Sequence, residues 1–323
     1  MHNSLPETDV ANPRQTFSIM PWLKLLRLPT VFTSISNVLC GYLVTAKTRS
    51  LSDIALEPDP WLLILCSSCL YLSGMVLNDA FDAELDSVER PERPIPSGAV
   101  GKLSAFALGF GLLVMGIVAA ILIAKSASLL IAIAIACSVV LYDSLLKNTK
   151  AAALGMATCR FLNLLLGCSS AVATNQLLTA NNPALPIAIG LAVYVFGVTV
   201  FAMNEAGQMS QSGLITGSVI ATCGLTVHLF TAGKIYGTTS SSAAFGCLLI
   251  VCLLMANILY RVTLAIRARQ SRLLQKTVGF MLLNIIFLDA AMTFCFTGSS
   301  QLSACILILM IPATQLKKVL PLS

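Results

Sequence analysis

Long apolar stretches alternate with short polar ones along almost the whole chain. A helix needs roughly 20 mostly apolar residues to cross a bilayer, and backbone groups in lipid must be satisfied within the segment. The pattern therefore predicts an all-α, multi-pass bundle of nine transmembrane helices, or ten if a short last run also crosses. The predicted spans are about 28–46, 61–78, 103–124, 127–146, 151–174, 185–203, 214–232, 242–260 and 278–297, with the short run at about 302–314.

Composition supports one membrane domain. Hydrophobic residues make up 57% of the chain and charged residues only 11%, whereas soluble domains carry about 25% charged residues. Too little polar surface remains to dissolve a globule of this size. Residues 1–20 are polar and lack the features of a signal peptide, so we predict a short disordered tail followed by a single transmembrane domain over 21–323.

The basic residues indicate orientation. A net charge of +6 could suggest a nucleic-acid partner, but Lys and Arg are dispersed between the spans, so we expect membrane lipid and no nucleic acid. With the N-terminus in the cytoplasm, 15 of them fall on the cytoplasmic side and 4 on the other, or 13 and 6 if the short last run does not cross. The N-terminus and the polar loops 79–102, 204–213 and 261–277 are predicted to be cytoplasmic.

Three aspartates mark the end of the second span. Asp79, Asp82 and Asp86 lie at i, i+3 and i+7, which would place them on one face of a continuing helix. Carboxylates that converge in this way repel one another unless a cation lies between them, and Mg²⁺ typically takes one or two carboxylates together with substrate phosphate oxygens. Acidic residues at the membrane edge usually have a function. The alternative is a solvated helix end with ordinary surface acids.

Prolines in the following loop stop the helix and bring Arg90 and Arg93 next to the acids. Guanidinium groups bind phosphate oxygens in a bidentate manner. The alternative is that these two residues only supply the positive charge that is typical of a cytoplasmic loop.

The stretch Asn78-Asp79-x-x-Asp82-x-x-x-Asp86, followed by Arg93-Pro94-Ile95-Pro96-Ser97-Gly98, resembles the first aspartate-rich motif of the UbiA superfamily of intramembrane aromatic prenyltransferases. At the end of the fourth span, Tyr142-Asp143-Ser144-Leu145-Leu146-Lys147 resembles that family's YxxLLK element. The resemblance implies a UbiA-like bundle and an Mg²⁺-dependent transfer from an isoprenoid diphosphate to a lipophilic acceptor. It suggests that Lys147 contacts diphosphate, although the lysine could simply reach out of the membrane at a helix end.

The second acidic motif of the family is incomplete in this chain. Gly213 and Thr216 match its last two positions, which places Glu205 and Met209 where the family has two acids. Glu205 can still ligate a metal, whereas the Met209 thioether cannot hold Mg²⁺. The segments 27–33 and 159–167, with Gly41 between them, are similar to a divergent branch called EboC-like proteins.

Two polar residues lie inside the fifth span. Arg160 and Asn163, at i and i+3, would face a central cavity and a diphosphate or carboxylate, or would form a structural contact. Asn37 and Asn284 would line the same cavity or join helices. Asp289, in the ninth span, is a second polar anchor or the partner of an arginine.

The resulting hypothesis assigns roles by residue. The predicted catalytic residues are Asp79, Asp82 and Lys147; the substrate-binding residues are Asn78, Arg93, Tyr142, Arg160 and Asn163; and the Mg²⁺ ligands are Asp79, Asp82, Asp86 and Glu205. A different class of function is a non-catalytic UbiA-like protein that binds or moves a prenylated or amphipathic molecule, which the loss of an acid at Met209 favours. An ion-coupled transporter fits the span count but not the diphosphate-type motif.

Overall fold

The structure, a computed structural model, describes residues 19–46, 50–149, 151–206, 210–268 and 270–319, with the side chains of 53 and 204–206 left out. Every regular element in these ranges is a helix. The α-helices are α1 (Met20–Leu25), α2 (Val31–Thr45), α3 (Leu51–Leu56), α4 (Pro58–Phe81), α5 (Ala83–Glu89), α6 (Lys102–Leu122), α7 (Ser126–Leu141), α8 (Ala152–Cys168), α9 (Ala184–Ala206), α10 (Gln211–Thr239), α11 (Ser242–Ala268), α12 (Ser271–Thr297), α13 (Ser300–Leu307) and α14 (Met310–Val319).

Nine helical segments of the described chain are long and apolar enough to cross a membrane. Helices α1 and α2 together form one of these segments, and α13 and α14 together form another. The second of these, Ser300–Val319, contains the short last run and has 20 residues, which is enough to cross a membrane. The predicted all-α bundle is confirmed. The tail predicted over 1–20 lies outside the described residues as far as residue 18, but Met20 already belongs to α1.

The fifth predicted span is shorter than the hydrophobic pattern indicated. α8 ends at Cys168, whereas the apolar run was read to residue 174. Ser169 closes the helix with a tight bond from its N–H to the Leu166 carbonyl and donates its hydroxyl to the same oxygen. Such serine bonds compete with helix continuation. At 17 residues α8 is roughly 26 Å long, close to the thickness of the hydrocarbon core.

Helix α2 lies at the centre of the part of the bundle that carries the site. It packs against α4, α8 and α12, while α7 packs against α4 and α8. Gly41 of α2 and Gly167 of α8 allow the closest approach: a Cβ on Gly41 would lie 2.2 Å from the Leu164 carbonyl oxygen. This contact brings the polar residues of α8 alongside those of α2.

The outward faces are apolar. On α6, the side chains of Leu103, Phe110, Val114 and Leu122 are exposed although they are large and hydrophobic. Contiguous exposed apolar surface of this kind is unstable in water but suits contact with lipid tails.

Candidate functional site

The aspartates flank a break between α4 and α5. Asp82 ends one helix and begins the next, and backbone bonds from Asp82 N–H to the Asn78 carbonyl (3.0 Å) and from Asp86 N–H to the Asp82 carbonyl (2.8 Å) hold the two helices nearly continuous. Asp79 and Asp86 are buried and Asp82 is partly exposed. As the prolines predicted, α5 ends at Glu89, before Pro91.

Each aspartate is paired with a basic residue. Arg93 Nη1 lies 2.6 Å from Asp86 Oδ2 and 3.6 Å from Asp79 Oδ1, so this buried guanidinium joins two of the three acids. Asp82 instead pairs with Lys147, whose Nζ lies 2.6 Å from Oδ1. The structure thus brings the predicted diphosphate-binding residues Arg93 and Lys147 onto the predicted metal ligands.

A third basic residue, to which the sequence alone assigned no role in the site, completes the cluster. Arg27 Nη2 lies 2.6 Å from Asp79 Oδ1. The Arg27 backbone is left-handed (φ 46°), which is uncommon for a residue other than glycine and recurs at functional positions. We call Arg27, Asp79, Asp82, Asp86, Arg93 and Lys147 the ion cluster.

The loop after α5 is folded tightly enough to hold Arg93 in place. Ser97 N–H bonds to the Arg93 carbonyl (3.0 Å), and Val100 N–H bonds to the Pro94 carbonyl (2.9 Å). Gly98 adopts φ 76°, a conformation in which any side chain would be strained. Arg90, which the sequence placed beside the acids, is exposed on this loop.

A cavity of about 200 Å³ lies below the ion cluster, between α2, α4, α7 and α8. Arg27 and Asn78 line the end nearest the aspartates. The remaining wall is mostly apolar or aromatic, with the polar exceptions named below. The lining residues are Arg27, Ser34, Ser67, Leu70, Tyr71, Gly74, Met75, Asn78, Ile135, Val139, Tyr142, Asp143, Met156, Cys159, Arg160 and Asn163.

Arg160 lines this cavity, which was one of the two alternatives for this residue, but its guanidinium already has hydrogen-bond partners. Nη1 donates to Asn37 Oδ1 (3.0 Å), Nη2 donates to Thr33 Oγ1 (2.8 Å), and the group lies 5.0 Å from the centre of the Tyr71 ring. Asp289 lies behind it and accepts 2.6 Å hydrogen bonds from Asn37 Nδ2 and from the Ser36 hydroxyl. Asp289 is therefore an anchor for Arg160 through Asn37, and we call these five polar residues (Thr33, Ser36, Asn37, Arg160, Asp289) the deep network.

Asn163 also has partners. Its Oδ1 accepts from Ser67 (2.7 Å) and its Nδ2 donates to the Ser34 carbonyl (2.9 Å), which joins α8 to α4 and α2. Asn37 joins helices, while Asn284 has a buried Nδ2 without a partner among the described residues. Arg160 and Asn163 therefore form structural contacts between helices, and they also line the cavity wall.

A wide turn ends α7 and carries two residues of the site. Residues 142–146 form a π-helical turn, closed by a 3.0 Å bond from Lys147 N–H to the Tyr142 carbonyl. Such turns are rare and often occur at functional sites. Tyr142 and the neighbouring Asp143 line the cavity, and Lys147 reaches the ion cluster. Asp143 was missed in the sequence analysis, although an acid inside a predicted span was a usable signal.

The three aspartates of the ion cluster suit Mg²⁺ chemically, but they do not form a complete metal site by themselves. Asp79, Asp82 and Asp86 supply the hard carboxylate oxygens that Mg²⁺ takes together with substrate phosphates. However, the described residues contain no group of three or more His, Cys, Asp or Glu close enough to hold a metal by themselves. The side chain of Glu205 and all of Met209 lie outside the described residues, so the second acidic motif is not described.

A polytopic helical bundle with a charged cluster above an apolar cavity defines an integral membrane protein with a candidate site for a phosphorylated, lipid-soluble ligand. The profile of the UbiA prenyltransferase family matches residues 37–285. The chain therefore belongs to the UbiA prenyltransferase family, as the resemblance in its motifs suggested. Its assignment to the EboC-like branch stays a prediction.

Similar proteins agree with this family. The chain is 31% identical to digeranylgeranylglyceryl phosphate synthase from Saccharolobus solfataricus over 133 residues, which is 41% of this chain and 45% of the relative. The chain thus spans less than half the length of that curated relative. A solved structure of digeranylgeranylglyceryl phosphate synthase matches 86% of this chain and 98% of its own, with 19% identity and a TM-score of 0.61.

The solved structure of a UbiA homologue from Archaeoglobus fulgidus bound to DMAPP and Mg²⁺ matches 84% of this chain and 99% of its own. The identity is 14% and the TM-score 0.55. At this identity the two solved structures show that the fold is shared.

Proposed function

We propose that this chain transfers a prenyl group from an isoprenoid diphosphate to an electron-rich, lipophilic acceptor within the membrane. The observation that carries the proposal is the ion cluster above the cavity: three cations beside three carboxylates, at the edge of an apolar chamber between four helices. Phosphate oxygens could bind to Arg27, Arg93 and Lys147 where carboxylates now bind.

The roles of the residues follow from their positions. Asp79, Asp82 and Asp86 would hold Mg²⁺, with Glu205 from the second motif, and the ion would neutralise charge on the leaving diphosphate. Lys147, Arg93 and Arg27 would bind the diphosphate oxygens, and Asn78 would line the entrance next to them. The diphosphate is oriented by these groups so that its prenyl chain extends into the apolar cavity.

The reaction needs an allylic carbon to part from the diphosphate, which leaves with the electron pair. The aromatic faces of Tyr71 and Tyr142 line the chamber in which positive charge would develop, and aromatic faces attract cations. The apolar wall would keep water away from that carbon until the acceptor attacks it. Arg160 and Asn163 would shape the floor of the chamber.

The proposal includes the orientation in the membrane: the ion cluster, the loop after α5 and the N-terminus face the cytoplasm. A cysteine placed at Arg90 and one at Lys125 should be labelled by an impermeant maleimide from opposite sides of sealed vesicles. Labelling of both from the same side would contradict the proposed topology.

Purified protein in nanodiscs tests the activity. A panel of isoprenoid diphosphates of increasing length, offered with phenolic and alcoholic acceptors, should release diphosphate with Mg²⁺ and not with EDTA. Tight Mg²⁺-dependent binding of a diphosphate without any release would instead support the second candidate, a non-catalytic carrier. That candidate is favoured by one sequence observation, the methionine at position 209.

A further inference from the structure

One acidic side chain in the cavity is not used by the proposed binding of diphosphate and metal. Asp143 is 2% exposed and lines the cavity from the π-helical turn after α7. Its Oδ2 has no hydrogen-bond partner among the described residues. A buried carboxylate oxygen without a hydrogen-bond partner is costly, above all in a membrane protein, and ionisable residues inside the membrane usually have a function.

Three other polar side chains of the cavity wall already have hydrogen-bond partners. Arg160 donates to Asn37 and Thr33, Asn163 is bonded on both sides of its amide, and Ser67 donates to Asn163. Asp143 is the single residue that both lines the cavity and has a buried side-chain atom without a partner in the described part of the chain. Asp143 Oδ2 is thus a buried acceptor in the cavity wall to which a bound molecule can donate a hydrogen bond.

The nearby basic side chains are paired with other carboxylates. Lys147 lies four residues further along, but its Nζ is bonded to Asp82 at 2.6 Å and does not form an ion pair with Asp143. The Arg27 guanidinium pairs with Asp79. The same cavity is lined by the apolar side chains of Val139, Met156 and Ile135, and by Tyr142 and Cys159, neither of which hydrogen-bonds to Asp143 Oδ2. A small organic group that carries a hydrogen-bond donor fits this setting.

We propose that Asp143 recognises the acceptor by accepting a hydrogen bond from its hydroxyl group, and that it takes the proton from that hydroxyl as the new bond forms. This inference rests on the proposed function and adds the class of acceptor, a lipophilic molecule with a free hydroxyl. The product is a prenyl ether.

The step is balanced without a further reactant. The allylic C–O bond breaks and diphosphate leaves with its electron pair. A lone pair on the acceptor oxygen forms the new C–O bond, and the O–H proton passes to the Asp143 carboxylate, from which water removes it after product leaves. A carboxylate only accepts hydrogen bonds, so a methyl ether in place of the hydroxyl would leave Oδ2 unpaired.

The test uses full-length protein in nanodiscs and four variants: Asp143→Asn, Asp143→Glu, Ser144→Ala and Asp82→Asn. Ser144 is the matched control, since it lies in the same turn but is exposed and donates its hydroxyl to the Val140 carbonyl of its own helix. The probes are geranylgeranyl diphosphate as donor, and a long-chain alkylphenol and a 1-alkylglycerol as acceptors, each with its methyl-ether counterpart.

We expect Asp143→Asn to bind geranylgeranyl diphosphate with Mg²⁺ within about twofold of the unchanged protein, and to lose at least about 100-fold in transfer to the hydroxylated probe, since a general base contributes 10²–10⁴-fold. Asp143→Glu should recover part of that loss, and Ser144→Ala should change nothing. Unchanged transfer by Asp143→Asn would overturn the proposal. So would a loss of diphosphate binding as large as that of Asp82→Asn, because Asp143 would then belong to the metal and diphosphate site.

Binding measurements separate this inference from the proposed function. If the unchanged protein releases no diphosphate with any acceptor, the proposed function fails. Recognition by Asp143 is then still measured by equilibrium binding of the hydroxylated probes against their methyl ethers. We expect a preference of tenfold or more for the hydroxyl, on the order of a lost hydrogen bond, and a clearly smaller preference in Asp143→Asn, whose neutral amide oxygen accepts a weaker hydrogen bond than a carboxylate. Equal binding of both probes to the unchanged protein overturns the recognition role. Should the asparagine variant fail to fold, Asp143→Glu, with a displaced carboxylate, is compared in the same way.

Discussion

The ion cluster and the deep network both reach the same cavity, through Arg27 and Arg160, and neutralise their charges differently. In the ion cluster, acids and bases touch directly, at 2.6 Å, and Arg27 and Asp82 retain some exposure. In the deep network, Arg160 and Asp289 are joined through the amide of Asn37, and all of its members are buried. Charge is thus neutralised by direct ion pairs in the ion cluster and by hydrogen bonds through a neutral amide in the deep network.

The difference indicates which region can exchange its partners. Direct ion pairs at the membrane edge can be replaced by phosphate oxygens or a metal ion, because each charged group gains an equivalent partner. The hydrogen bonds through Asn37 join side chains that are buried, where no ligand can replace them, so breaking them leaves a charge unpaired in a low-dielectric interior. We therefore propose that the ion cluster binds the ligand and that the deep network positions the helices.

The largest effect expected from this division is on stability, in the deep network. Asp289→Ala leaves Asn37 and Arg160 without their anchor and should lower the free energy of unfolding by about 3–5 kcal/mol. Thermal unfolding in detergent, followed by fluorescence of a thiol-reactive dye or by circular dichroism, measures it. Asp289→Asn, which keeps the shape and still accepts from Ser36, should lose less. A loss below about 1 kcal/mol in the alanine variant would remove the positioning role.

In the ion cluster the largest effect should be on binding. Asp82→Asn keeps the shape and removes the charge, so the fold should survive while Mg²⁺-dependent affinity for an isoprenoid diphosphate falls by at least about 100-fold, given that even residues outside the metal shell can cost 10–100-fold. Isothermal calorimetry with and without Mg²⁺ measures the affinity. Intact binding in a folded Asp82→Asn protein would contradict the assignment of a metal and diphosphate site here.

The contribution of one cation should be smaller. Lys147→Ala should weaken diphosphate binding by about 1–3 kcal/mol, the range for a lost charge-assisted hydrogen bond. Lys102→Ala is the matched control: Lys102 also pairs with an acid, Glu84 Oε1 at 2.9 Å, but both side chains are exposed outside the cluster. The control should leave binding unchanged. An equal response in both variants would mean that Lys147 acts only through general surface charge.

The smallest expected effect is a gain. If the thioether at position 209 is what the second acidic motif lacks, Met209→Asp should tighten Mg²⁺-dependent diphosphate binding, or raise the rate of diphosphate release, by about tenfold, the scale of one added charge-assisted contact. Met209→Asn is the uncharged control. If Met209→Asp produces neither gain in folded protein, the first acidic motif acts without a second one.

Much of the site could be predicted from the sequence because its residues are close together along the chain. Asp79, Asp82 and Asp86 follow helical spacing, and Arg93 lies seven residues beyond Asp86, within reach once the prolines turn the loop. Arg27 could not be assigned in this way. It contacts Asp79, which is 52 positions away in the sequence, and its left-handed backbone conformation could not be predicted from the local sequence.

The sequence by itself determined the class of fold, since runs of apolar residues in lipid must be helices, and it determined the chemistry of the acidic motif, since side-chain spacing on one helix is local. Only the tertiary structure decided which cations neutralise which acids, because those pairs join helices that are distant along the chain. It also decided that Arg160 is already bonded to Asn37 and Thr33 while Asp143 is left without a donor. Whether a buried polar group has a hydrogen-bond partner depends on all the helices around the cavity, so it cannot be predicted from the sequence of one span.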